Sequence, residues 1–181
     1  MSEVWRVAAL MRAVNVGGQG AIPMADLRDL LTERGFDRPE TLLASGNALI
    51  GTRWDAAETE ARFETALAER FEFKTDVLVR DRAQLAAITD ANPFREMAAE
   101  APSRLIVMVL RGEPQGDLAT LEPYCQAGER VAVGPGCLFL AYPAGSGTSK
   151  LSGAVIERRL GVRGTGRNWN TIGKLLAKLG G

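Results

Sequence analysis

An α+β fold, in which one order of strands and helices runs twice along the chain, follows from three observations. Apolar stretches of strand length alternate with longer segments whose apolar residues recur at helical spacing. Two pairs of apolar runs are joined by glycine-containing turns, Gly-Asn in the first half and Gly-Pro-Gly in the second. Each half reads strand, helix, hairpin, helix, with the closing strand plain in the first and eroded in the second.

Residues 4–14, VWRVAALMRAV, are interrupted only by Arg6 and Arg12 and read as a mostly buried strand. The glycine-rich stretch NVGGQGAIP follows. Pro23 then opens a helix over 23–34, with Leu27, Leu30 and Leu31 inward and Gly35 ending it. ETLLASGNALIGT gives two short strands around Ser45, Gly46 and Asn47, turning at Gly46-Asn47. A helix over 55–71 aligns Phe63, Ala66, Leu67 and Phe71, and KTDVLVRD alternates as a strand. The order βαββαβ is the ferredoxin-like arrangement.

The second half begins after a linking helix at 81–91 and the turn Asn92-Pro93-Phe94. RLIVMVLRG is a buried strand and 114–122 a weak helix. RVAVGPGCLFLAY is a hairpin turning at Pro135-Gly136, and a helix spans 149–160. The last strand is worn down to about 162–164, and a C-terminal helix carries Ile172, Leu175, Leu176 and Leu179 as one stripe. The expectation is a tandem pair of ferredoxin-like units with antiparallel sheets, at residues 1–92 and 93–181.

Composition narrows the chemistry. Lys plus Arg equals Asp plus Glu, 22 each, so no global basic field draws in nucleic acid or membrane. Nucleic-acid binding is disfavoured further by 6% aromatic content and no stacking motif on a central strand. Apolar runs are far short of a membrane span, and the charges at Glu3 and Arg6 break any signal-peptide pattern. Cys125 and Cys137 match no metal or redox spacing, so a cytoplasmic protein with reduced thiols and no disulfide is expected. The chain has no histidine, which excludes Ser-His and Cys-His catalysis and histidine metal ligands. No metal and no cofactor are expected, and oligomeric state is not readable.

The segments MRAVNVGGQGAIPMADLRDLL, LASGNALI, NPF, YPAGSGTSKL with IERRLG, and TGRNWNTIGKL resemble, in order, the landmarks of the bacterial DUF1697 family. Met11, Ala13 and Val14 depart from that family's usual Leu, Gly and Ile. The resemblance covers nearly the whole chain, and it implies a small cytoplasmic α+β protein with duplicated ferredoxin-like topology. It implies no reaction.

Four polar segments are candidates for a ligand site, each with a plainer reading beside it. NVGGQGAIP, with Asn15, Gly17 and Gly18, resembles a phosphate loop but fits neither the dinucleotide nor the P-loop pattern; it serves equally as a connection. Arg12, at the end of a buried strand, must open onto a cleft or find a partner. Ser45 and Asn47 read first as hairpin residues. Ser149 and Lys150 lie in a loop that suits an anion, although Thr148 or Ser149 is also a plain N-cap.

The most concentrated segment is Arg167, Asn168, Trp169 and Asn170 at the head of the last helix. One asparagine suffices for a cap; the surplus donors suit an anion at a positive helix end or a hydrogen-bonded plug. The leading expectation is a binding protein for a small anionic or phosphate-bearing ligand. The rivals are an enzyme using Lys150 or a serine on a phosphoryl or acyl group, and a scaffold in which these segments only fasten the fold.

Overall fold

The computed structural model describes residues 3–13, 21–43 and 46–180. They form two four-stranded antiparallel sheets with helices, an α+β architecture. The chain divides into two compact units, Met1–Ala83 with Leu175–Gly181, and Gln84–Lys174. The sequence puts the division at 92/93; contacts put it at 83/84 and return the last residues to the first unit.

In the first unit β1 (Trp5–Met11) is central, in the order β2-β3-β1-β4. Its last five residues are buried on both faces, which is why it reads as a continuous apolar run rather than an alternation. Helix α1 (Met24–Glu33) starts after Pro23, whose fixed φ suits the position, and buries Leu27, Leu30 and Leu31. It stops where Gly35 takes φ +84 and its N–H turns back to the Thr32 carbonyl at 3.1 Å. β2 (Asp37–Leu42) carries Pro39 and a bulge, and β3 (Asn47–Thr52) is buried throughout.

The hairpin between them corrects the expected turn. Leu42 pairs with Asn47, so the loop is residues 43–46 and Asn47 already belongs to β3. Among the described residues positive φ falls on Leu43 and Gly46 and not on Asn47, and the Leu42–Asn47 pair leaves four residues between the strands. Helix α2 (Ala56–Phe71) begins where Asp55 accepts the Glu58 N–H at 2.8 Å. It buries Phe63, Ala66 and Leu67 against β1, β3 and β4 (Val77–Asp81) in one core with α1.

α3 (Arg82–Ala91) follows, and α4 (Arg95–Glu100) comes after the Asn92-Pro93-Phe94 turn without having been expected from sequence. In the second unit β5 (Leu105–Leu110) is central, in the order β6-β7-β5-β8. The weak helix expected at 114–122 is a 3-10 helix, Leu118–Tyr124, with Pro123 inside it. Proline cannot donate to the i−4 carbonyl, so an α-helix is not sustained there. β6 (Arg130–Gly134) and β7 (Cys137–Ala141) meet at the expected two-residue turn, where Pro135 precedes Gly136 at φ +63.

α5 (Gly153–Leu160) starts four residues later than expected, capped by Ser152 rather than Thr148 or Ser149. β8 (Gly164–Asn168) is a complete strand beside β5 rather than the remnant the sequence indicates. Its glycines hide it from propensity but fit the packing: a Cβ on Gly164 would lie 2.6 Å from the Val109 carbonyl oxygen. The core of this unit gathers Met108, Leu110, Leu138, Leu140 and Ile156, with Leu121 from the 3-10 helix. α6 (Trp169–Leu179) ends the chain.

Candidate functional site

The β8–α6 junction places the most concentrated of the candidate residues. Arg167 lies on β8 opposite Val107 and is 7% exposed. Its Nη1 donates to the Thr165 hydroxyl at 2.7 Å and the Gly166 carbonyl at 2.8 Å. Burial lowers its pKa to about 10, which leaves it a cation at neutral pH. Asn168 caps α6: its Oδ1 accepts the Thr171 N–H at 3.0 Å and the Thr171 hydroxyl at 3.1 Å. Trp169 is half-buried, and Asn170 is exposed. The two asparagines therefore divide, one folded into the cap and the other facing solvent.

The loop after β7 starts at the same end of the second sheet, since Ala141 and Asn168 pair with the adjacent residues Leu105 and Ile106 of β5. Its Ser149 hydroxyl donates to Glu129 Oε1 at 2.5 Å and accepts the Leu151 N–H at 3.1 Å. The other Glu129 oxygen accepts the Ala127 N–H at 2.7 Å, and the Ser149 and Ala127 bonds hold this carboxyl below its usual range. The Tyr142 hydroxyl donates to the Leu151 carbonyl at 2.9 Å, and burial pushes its pKa up to about 12. Ser149 is thus part of a satisfied polar cluster. Lys150 is exposed, with no ion pair among the described residues.

In the first unit Arg12 and Asn47 come to one end of the sheet. Asn47 pairs with Leu10, and the Arg12 N–H donates to the Asp76 carbonyl at 2.9 Å. The Thr75 hydroxyl donates to the Arg12 carbonyl. Asn47 is fully buried, its amide donating to the Leu42 carbonyl at 3.0 Å, which closes the hairpin loop. Asn15, Gly17, Gly18 and Ser45 lie outside the described residues.

Sequence reasoning missed several polar groups. Glu129 and Thr165 are buried partners of candidate residues, yet in sequence each looks like ordinary loop or strand content. A cleft of about 400 Å³ in the second unit is lined by Arg111, Glu113, Gln115, Glu157 and Arg163, none of them anticipated. Alternating charges at loop positions give no signal that separates such a cleft from a solvated surface. Among the described residues no group of three His, Cys, Asp or Glu could hold a metal ion. Neither Cys125 nor Cys137 is in a disulfide among the described residues. Among the described residues no helix is long and apolar enough to cross a membrane.

Two antiparallel sheets with the same strand order and helices beside each define a small α+β protein, with no histidine in its sequence. The model of the family described as "Protein of unknown function (DUF1697)" matches residues 4–139. The chain belongs to the DUF1697 family. Its fold is similar to that of the conserved bacterial protein SP0830 from Streptococcus pneumoniae, at 23% identity and a TM-score of 0.72. The match covers 98% of this chain and 99% of that one, and at this identity the likeness speaks to fold alone. No curated protein matches the sequence.

Proposed function

We propose that the protein binds a small anion, inorganic phosphate or a phosphate-bearing molecule, at the head of α6. The observation that carries this reading is a guanidinium buried to 7% exposure one residue before the cap of an eleven-residue helix. An anion bound at this helix head would gain both from the N-terminal end of the helix dipole and from charge-assisted hydrogen bonding to a guanidinium. Asn168 occupies the Thr171 N–H, leaving the earlier amides of the turn and the exposed Asn170 side chain as donors.

A second reading has its own support. Asn168 and Ser149 are committed to internal hydrogen bonds, as a structural plug would require. Thermal melting of the full chain with and without phosphate separates the two. Under the binding reading phosphate raises the melting temperature of the wild type. Arg167→Lys keeps the charge but not the paired donors and loses most of that rise. Asn170→Ala weakens it at near-normal stability, because an exposed side chain costs little to remove. No phosphate effect on any of the three proteins defeats the proposal and leaves the segment as scaffold.

We also read each sheet with its helices as a ferredoxin-like unit, the two in tandem. Identical strand orders and the shared strand–hairpin–helix–strand sequence support this. A cytoplasmic setting belongs to the same reading and is supported by two cysteines that form no disulfide with each other.

A further inference from the structure

Four strands lie at sheet edges, and three are covered by side chains or irregular backbone. On β2, Pro39 and the bulge interrupt the edge, and Arg6 Nη1 bonds the Arg38 carbonyl at 2.8 Å. On β4 the outward N–H groups of Val77 and Val79 donate to Glu64 and Glu60 of α2, both at 2.9 Å. On β8 the Gly164 N–H donates to Glu157 at 3.2 Å, and Arg167 takes the Gly166 carbonyl at 2.8 Å. These devices satisfy groups that would otherwise template another strand.

β6 has none of them. The two-residue turn makes Gly134 and Cys137 a hydrogen-bonded pair, so Ala132 and Arg130 also face β7, and Val131 and Val133 point their N–H and C=O outward. No bond reaches those outward groups from any described residue. Val133 is 57% exposed, the most exposed large hydrophobic residue among the described residues. The strand contains no proline and no bulge.

We propose that β6 is a self-association edge, pairing antiparallel with β6 of a second copy of this chain about a two-fold axis through Ala132. This register sets Val131 of one copy against Val133 of the other, and the reverse, so every outward group on both strands is used. It sets Arg130 opposite Gly134, which keeps the two arginines at opposite ends of the ribbon and leaves room beside each. With the other three edges covered, the pairing closes at two copies instead of growing. Five residues a side bury far less than the roughly 1,200 Å² of a stable complex, so the dimer forms only at high concentration.

Sedimentation velocity of the full chain is expected to show a monomer at low micromolar concentration and a growing dimer toward millimolar. Val133→Pro removes an outward N–H without touching the β6–β7 ladder and should hold the chain monomeric with unchanged circular dichroism. If that variant misfolds, cross-linking decides. In a Cys125→Ser background, Ala132→Cys places two thiols across a non-hydrogen-bonded pair, about 4.5 Å apart at Cα, and mild oxidation should link them. A wild type that stays monomeric to millimolar overturns the proposal. So does a dimer that persists in folded Val133→Pro, or a folded Ala132→Cys protein that does not cross-link.

Discussion

Between its first and second strands, the first unit carries α1, a full helix with three buried leucines, whereas the second carries only the 3-10 helix Leu118–Tyr124. The strand orders are nonetheless the same in both. The contrast locates the topology in the strands and their hairpins. A short coil that delivers Leu118, Leu121 and Tyr124 to the core stands in for a regular helix. What a covering segment must supply is apolar area at the right place, and hydrogen-bond pattern is secondary to that.

The comparison breaks most sharply at the largest buried side chains. Phe63→Ala should cost about 3–5 kcal/mol, since it opens a cavity under α2 at a residue with no exposure. Leu121→Ala should cost about 2–4 kcal/mol if the 3-10 helix is as integral to its core as a helix would be. Urea titration measures both, and a Leu121→Ala loss under about 1 kcal/mol would make the segment a loose cover rather than a layer.

A pH scan sharpens it next. Tyr142 is raised to about 12, chiefly by burial, from an ordinary 10.0. Its folded pKa lies above its unfolded one, so its contribution is fully present below about pH 10 and is lost as pH climbs toward 12. The loss is on the order of 2 kcal/mol, and Tyr142→Phe should flatten that part of the alkaline limb. An unchanged limb in the variant would assign alkaline instability elsewhere.

The smallest effects separate the helix heads. Asp55→Ala at α2 and Asn168→Ala at α6 should each cost about 1 kcal/mol, while Asn170→Ala should fall within about 0.5 kcal/mol of wild type. Equal losses at Asn168 and Asn170 in thermal melts would contradict the division of labour between them.

Much of the fold was legible because it rests on patterns that survive in sequence. The leucine spacing of α1, the Phe63–Leu67 face of α2 and the Pro-Gly turn at 135–136 were all readable. β8 was obscured because its glycines answer to close backbone approach, which leaves no periodicity. The first hairpin was misplaced by a loop two residues longer than the Gly-Asn signal indicates. At the candidate site the residue types were visible, but their partners were not. That Asn168 would cap and that Ser149 would be held by Glu129, twenty positions earlier, depends on tertiary placement.

Cys137 has no solvent exposure at the start of β7, whereas Cys125 is half-buried with its pKa raised, first by desolvation and then by Glu129 and Glu122. The pair amounts to a built-in chemical clock. A thiol reagent supplied in pulses should mark Cys125 from the native state, slowly near neutral pH because little thiolate is present. It can mark Cys137 only in molecules whose second sheet has opened, so the ratio of doubly to singly labelled chains reads local opening without any introduced probe.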